Sequence, residues 1–593
     1  MVVPRTIIFL VLGAVSIAFH VGLIFSGLVP NLVARPIHMA LALPWIFLFA
    51  TAGRSLWSAA LFAGAGIVGC IYIVLSEAAL SDQYGSLEGG GQVALAAVLL
   101  IVVLEMARRA IGWPLPMVAA LALAYGLFGD LFPGEFGHPG LPVESFLGTL
   151  TIAEGGLWGS LTGVSVNIVA VFVIMGAVLN AGEAGQGFMN LASTAAGRLK
   201  GGAAKVSVLS SAFFGSISGS ASANVASTGA ITLPAMRKLG YPKSFAAAVE
   251  AVASSGGQIM PPLMGAGAFV MVELSGVPYT EIISAALLPA LLYFAAVWIG
   301  INAFAERHDL KGLAPEDQPT LQSVVITTLF FAVPFTVLLE RMFIGGYTPQ
   351  YAACVAILVA VLMLFVDARL TFSWSRTWDR LQAVFLTAGQ QIAMIASIIL
   401  CASIVIGVLS QTGLGVKITS LILSSSASEV WPALLLTALA CLILGMEVPT
   451  TAAYVICVSV AGPALQSLGL PLLQAHLFVF WFALLSTITP PVCGAVFIAA
   501  GMVKEDWLKV AVRAMMLGIG LYLIPLAMIA NPDLIALSSV PGAAVASALK
   551  IGIGLAAISY GIIAPKLMTL RVVLVAFGFA ILFVPLDILD AQP

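Results

Sequence analysis

Residues 215–229 read GSISGSASANVASTG, six serine or threonine hydroxyls and one asparagine amide in fifteen residues. A second stretch, LGMEVPTTAAY at 444–454, places Pro449 and two threonines at the end of an apolar arm. Each is followed by a further interruption, SSGGQIMPP at 254–262 and LSTITPP at 485–491. A double proline removes two backbone donors and obstructs continuous helix. Glycine permits the unusual backbone angles of a break. Carbonyls and hydroxyls freed at such breaks suit a hard monovalent cation such as Na⁺, whereas softer metals want clustered Cys or His. Helix N-termini at the same breaks favour the anionic group of a substrate. Three acids accompany these regions: Glu250, Glu273 and Glu447. Charge at membrane depth is costly and usually functional. Glu447, beside a break, is the first choice for ion or proton coupling; Glu250 is read as a structural member paired with a basic group.

The surroundings make these stretches unusual. The chain of 593 residues is 61% hydrophobic and 8% charged, with a net charge of −2. Its mean hydropathy of +1.11 is that of a polytopic membrane protein. There is no basic surface for nucleic acid. The six cysteines and five histidines are dispersed, so neither a disulfide framework nor a zinc site is indicated. No P-loop occurs, so the chain shows no ATPase of its own. An enzyme or redox pump would need intramembrane Lys/Glu/His chains or clustered His and Asp, which are not visible.

Spanning-length apolar runs lie near 6–27, 37–53, 56–76, 92–112, 115–132, 162–181, 282–304, 321–340, 348–366, 384–409, 431–445, 506–529, 546–564 and 568–587. The first has an Arg before it and no small-residue cleavage site, so it reads as an uncleaved span. A more polar interval, 133–160, separates the fifth and sixth. The irregular regions are 186–275 and 413–502. Within hydrocarbon, irregular backbone survives only where protein or a water-filled cavity shields it. The flanks of the first stretch, 206–214 and 225–236, are too short to span. They form a re-entrant hairpin with 218–224 at its tip. Small residues also allow close helix packing, but packing does not require double prolines at matched positions.

Shifting the sequence by 229 residues aligns 234–266 with 463–495. Pro234, Gly240, Pro242, Pro261, Pro262 and Gly265 meet Pro463, Gly469, Pro471, Pro490, Pro491 and Gly494. The chain therefore reads as an internal repeat, about 160–275 and about 388–505. Arg198, Lys200, Lys205, Arg237, Lys238 and Lys243 crowd the feet of the first copy, while the second has Lys417 and Glu429. Because cytoplasmic loops are enriched in Lys and Arg, the two copies point oppositely. Paired broken helices in corresponding positions of two halves are the sequence pointer to a transporter binding site. The expected fold is an all-α polytopic membrane protein with an inverted repeat, two re-entrant hairpins and two broken helices.

The stretch GSISGSASANVASTGAITLPAMRKLGYP with its following double proline, and GMEVPTTAAYVICVSVAGPALQSLGLP, resemble the large membrane subunit of tripartite ATP-independent periplasmic (TRAP) transporters over about 115–530. The resemblance implies a sodium-driven symporter of the bacterial inner membrane, not an enzyme and without a cofactor beyond Na⁺. It takes up a small carboxylate delivered by a separate periplasmic substrate-binding protein, by an elevator motion of hairpins and broken helices. It places sodium at Ser218, Gly219, Ser220, Ser222, Asn224, Ser254, Gly256 and Gly257, and at Gly445, Glu447, Pro449, Thr450 and Thr451. Substrate falls to Ser222, Asn224, Pro261, Pro262, Thr451, Thr487, Thr489, Pro490 and Pro491. Residues 1–113 resemble the small membrane subunit fused in front, 114–530 are transport and scaffold, and 531–593 are helices without an assigned role. The arrangement resembles the TAXI branch, as a monomeric membrane unit. The alternative is a stand-alone ion-coupled carrier of the divalent-anion type, which needs no binding protein.

Overall fold

Apolar runs in this chain become helices because every backbone polar group in lipid needs a partner within its own segment. The computed structural model describes residues 4–49, 55–426, 429–445, 449–564 and 567–584. Among them the secondary structure is helical, with one isolated bridge between Val366 and Phe372. Among the described residues eleven helices are long and apolar enough to cross a membrane. Four of them, Ile7–Phe25, Asn31–Phe49, Leu56–Leu75 and Gly89–Ile111, precede residue 113. Three of the expected spans are helices of fewer than eighteen residues, Pro349–Met363, Val430–Leu444 and Met568–Phe583. Glu447 lies outside the described residues.

By contact the chain groups into two units, whose limits differ from the consecutive segments read from the sequence. The first unit takes in Met1–Gly182, Val333–Leu436 and Thr451–Leu468. Its spine is the 39-residue helix Trp374–Thr412. Small residues let neighbours close on it: a Cβ on Gly389 would stand 2.2 Å from the Trp45 ring, and one on Gly13 2.2 Å from the Phe385 carbonyl. The polar interval is folded into this unit. Arg35 donates to the Trp158 carbonyl and pairs with Glu154 at 3.4 Å. His20 Nε2 and His38 Nδ1 are 2.7 Å apart, and His38 Nε2 is 3.0 Å from Ser165 Oγ.

The second unit takes in Glu183–Ala332, Thr437–Thr450 and Gly469–Pro593. It holds the first hairpin, arms Gly202–Ser218 and Ala221–Lys238, and the first broken helix, Lys243–Gly256 and Gly265–Ser275. It also holds the second broken helix, Leu472–Leu485 and Gly494–Val503. Adding 229 to Ala221–Lys238 and Lys243–Gly256 gives the limits of Thr450–Ser467 and Leu472–Leu485. Gly265 likewise meets Gly494 as a helix start. Gly240 and its counterpart Gly469 both adopt positive φ, 84° and 89°.

Two expectations change. The polar stretch is mostly helix: the arms are 17 and 18 residues long, and only Gly219 and Ser220 form the turn. Gly219 takes φ +61°, and Ser220 caps the returning arm by accepting from the Ala223 amide at 3.3 Å. Ser and Ala tolerate helix once a cap is supplied, so the break contracts to the two residues that must deviate. Lys205, one of the six basic feet, is buried over the Trp298 ring at 4.8 Å.

The C-terminal helices Pro541–Ile563 and Met568–Phe583 pack on each other, and the former packs on Tyr279–His308. Ser559 Oγ donates to the Ala296 carbonyl at 2.9 Å.

Candidate functional site

The first hairpin and first broken helix approach at backbone distance. A Cβ on Gly257 would stand 2.6 Å from the Gly215 Cα, and one on Gly219 2.8 Å from the Gly265 Cα. Glycine is required at these crossings because any side chain would part the helices. Asn224, fully buried, fastens the same junction: its amide donates to the Ser211 carbonyl at 2.9 Å and to the Ser254 carbonyl at 3.4 Å.

The two double-proline breaks meet within this unit. Thr487 Oγ1 donates to Ser255 Oγ at 2.8 Å, joining the second broken helix to the first. The site a Cβ would take on Gly494 lies 3.6 Å from Ser222 Oγ, so the restart of the second broken helix faces the hairpin tip. Gly445 is held against Ser486, where a Cβ would be 3.0 Å from the Ser486 Cβ. Thr489 Oγ1 is 2.6 Å from the Tyr522 hydroxyl.

The residues expected to bind ions and substrate fall into three sets. Ser218, Gly219, Ser220, Ser222, Pro261, Pro262, Thr487, Thr489 and Pro490 are half-buried, and Pro491 is exposed. They can present hydroxyls and carbonyls to a solute. Asn224, Ser254, Gly256 and Gly257 are buried. Asn224 and Ser254 engage protein partners there, and Gly256 lies against the Tyr293 ring, 2.1 Å from where its Cβ would be. Pro449, Thr450 and Thr451 stand at the start of the helix Thr450–Ser467, with Thr450 buried. Both prolyl pairs, Pro261-Pro262 and Pro490-Pro491, are cis.

The sequence reading missed the polar core behind the tip. Glu250 is buried and meets hydroxyls from three helices: Ser207 Oγ at 2.8 Å, Ser254 Oγ at 3.4 Å, and the hydroxyls of Thr228 and Thr232. The basic partner expected for Glu250 is therefore replaced by hydroxyls. Serine or threonine at 207, 211, 228 and 232 recurs every three or four residues on the arms, a helical stripe facing Glu250 that was legible in principle. It also missed the tyrosine braces. Tyr279 donates to the Leu263 carbonyl at 3.1 Å and to the Pro262 carbonyl, and Tyr293 donates to the Val252 carbonyl at 2.7 Å.

This chemistry offers oxygen ligands and helix ends rather than a nucleophile and base. Among the described residues no group of three His, Cys, Asp or Glu is placed to hold a metal ion. The chain is similar to the C4-dicarboxylate TRAP transporter large permease protein DctM of Pseudomonas aeruginosa, 26% identical over 327 residues, 54% of this chain and 73% of the relative. It is similar to the isethionate TRAP transporter permease protein DctMQ of Oleidesulfovibrio alaskensis, 25% identical over 418 residues, 67% of this chain and 64% of the relative. The ectoine TRAP transporter large permease protein TeaC of Halomonas elongata is 25% identical over 264 residues, 44% of this chain and 57% of the relative. Residues 98–543 match the model of the tripartite ATP-independent periplasmic transporter, DctM component. With its broken helices and apolar spans, the chain belongs to that family: it is a multi-pass permease of the bacterial inner membrane that takes up a small solute with a separate periplasmic binding protein.

Proposed function

We propose that this permease is a sodium-driven symporter of a small carboxylate. The observation that carries the reading is the meeting of the Gly219–Ser222 tip with both double-proline breaks, through Gly219 against Gly265 and Ser222 against Gly494, while Thr487 on Ser255 joins the breaks to each other. Half-buried hydroxyls and freed carbonyls there suit Na⁺, and the restarting helix Gly494–Val503 offers its N-terminal amides to an anionic group. The sodium ligands are proposed among Ser218, Gly219, Ser220, Ser222, Gly445 and Thr450, with substrate between Thr487, Thr489 and the two proline pairs. The C4-dicarboxylate named for the Pseudomonas relative supports a carboxylate. The hairpins and broken helices move as an elevator, in a monomeric unit whose first four spans serve as a fused small subunit.

The test is uptake of labelled carboxylates by liposomes containing the purified protein, with and without a Na⁺ gradient and the periplasmic binding protein. Uptake that needs both supports the reading, and Ser222→Ala then raises the Na⁺ concentration for half-maximal uptake. Uptake with Na⁺ but no binding protein overturns the tripartite scheme, and uptake indifferent to Na⁺ overturns the coupling.

A further inference from the structure

Adding 229 to Tyr293 gives Tyr522, so the repeat runs on into the helices that follow the two broken ones. Ala285, Leu288, Leu292 and Asn302 meet Ala514, Leu517, Leu521 and Asn531 in the same register. The two tyrosines are placed differently. Tyr293 is fully buried, with its ring against Gly256 and its hydroxyl on the Val252 carbonyl. A phenol so enclosed is a brace, because only protein reaches it. Tyr522 is half-buried, and its hydroxyl stands 2.6 Å from Thr489 Oγ1, in the interruption that leads into Pro490-Pro491.

The backbone explains the divergence. In the first copy the helix Tyr279–His308 is continuous through Pro289. Gly518 stands at the matching position of the second copy, and there the helix Trp507–Leu517 stops and Ile519–Ala530 restarts. The apolar run 506–529 reads as one span in sequence, and the structure breaks it at this glycine. Lacking a side chain, Gly518 lets its neighbours close in: a Cβ there would stand 3.0 Å from Ile488 Cδ1 and 3.4 Å from Val252 Cγ2. Ile488 precedes Thr489, so the restart is seated on the second double-proline break, and Tyr522 follows one turn later.

Thr489 is thereby held from two sides. Its Oγ1 lies 2.7 Å from the Leu485 carbonyl and 2.6 Å from the Tyr522 hydroxyl. A threonine outside helix has several staggered side-chain positions open to it, and these two contacts select one. Ordering done in the folded protein is not charged again to solute binding. We propose that Tyr522 is a further residue of the solute site, a positioning residue that fixes the Thr489 hydroxyl in the second break, and that its counterpart Tyr293 takes no part in solute binding. This rests on the placing of solute at Thr489 and is indifferent to which ion drives uptake.

Fluorine NMR of the purified permease tests it. 3-Fluorotyrosine is placed at 522 alone and, in a second sample, at 293 alone, which keeps both hydroxyls. The carboxylates of the uptake panel, beginning with succinate, are added in turn with Na⁺. The expected result is a saturable shift at 522 and none at 293. Silence at 522 to the whole panel overturns the proposal, and carboxylate uptake measured alongside shows whether the transport reading falls with it. A shift at 522 that needs no Na⁺ would sink the sodium reading and leave this one standing. The labelled samples read the site even where a variant fails to fold. Tyr522→Phe and Thr489→Val then read the positioning role, through the solute-induced rise in unfolding midpoint. Each should raise the half-saturating solute concentration about fivefold to tenfold, the share of one hydrogen bond, and the double variant should go no further than either. Losses that multiply would show two independent contacts and overturn the positioning role. Tyr293→Phe should lower the unfolding midpoint without solute and leave half-saturation unchanged; an equal rise in half-saturation there would erase the distinction between the two tyrosines and overturn the proposal.

Discussion

The two broken-helix regions share a backbone plan and differ in filling. Their helices begin 229 residues apart, with the same double proline and the same glycine restart. The polar core of the first region has no counterpart in the second. Ser207, Ser211, Asn224, Thr228, Thr232, Glu250 and Ser254 correspond to Leu436, Ala440, Ala453, Cys457, Ala461, Val479 and Ala483. Glycines at the close crossing diverge as well: Gly215 and Gly257 meet Leu444 and Ser486. The break therefore depends on a few Pro and Gly positions, which the copies keep. Side chains behind the break are free to change, and among the described residues only the first region holds a buried carboxyl group.

Moving chemistry from one region to the other breaks this comparison most severely. Val479→Glu places a carboxyl group where Phe478, Phe480 and Trp481 are its buried neighbours along the helix and no matched hydroxyl exists. Several kcal/mol of desolvation, roughly 3–5, follow from an unpartnered buried charge. Size-exclusion chromatography in detergent should show little or no monodisperse protein.

Gly257→Ala comes next. Its methyl group would lie 2.6 Å from the Gly215 Cα and 2.7 Å from the Ser211 carbonyl, so the hairpin must move off the broken helix. About 2–3 kcal/mol is expected, read as a lowered midpoint of thermal unfolding. The matched change in the second region, Ser486→Ala, removes one hydroxyl bonded to the Ala483 carbonyl at 2.8 Å and should shift that midpoint far less. Equal shifts for the pair would mean that the two crossings are equivalent after all.

Glu250→Val makes the first region resemble the second. Ser207 loses its acceptor, whereas Thr228 and Thr232 keep the carbonyls of Asn224 and Thr228. The loss should be about 1–2 kcal/mol, smaller than for Gly257→Ala, in the same unfolding assay. A larger loss would show that the carboxyl group holds the junction rather than merely occupying it.

The smallest effect tests the link between the two regions. Thr487→Val and Ser255→Ala each remove one end of the 2.8 Å hydrogen bond. A double-mutant cycle on unfolding stability should give a coupling of about 0.5–1.5 kcal/mol. Additive losses would show that the broken helices do not communicate through this contact.

Much of this was legible in the sequence because the signals are local or periodic. Apolar length announces a span, since lipid leaves helix as the available solution. The double prolines announce the breaks through missing donors, and the 229-residue shift pairs them. The length of each break was less legible. Residues 215–229 look irregular by composition, yet Ser220 caps the returning arm and leaves only Gly219 and Ser220 out of helix.

The tertiary structure decided what the buried polar groups face. No local pattern tells whether Glu250 meets Lys205 or Ser207, two residues apart on one arm, because that depends on helix rotation and on Trp298 taking the lysine. The same holds for the C-terminal helices, which the sequence left without a role. Packing places Pro541–Ile563 on the helix whose Tyr279 and Tyr293 brace the first broken helix. Sequence by itself determined the membrane class, the breaks and their pairing, since each follows from chain composition and backbone donors. Only the fold could decide which hydroxyls surround one buried carboxyl group, because those contacts join residues up to 43 positions apart across three helices.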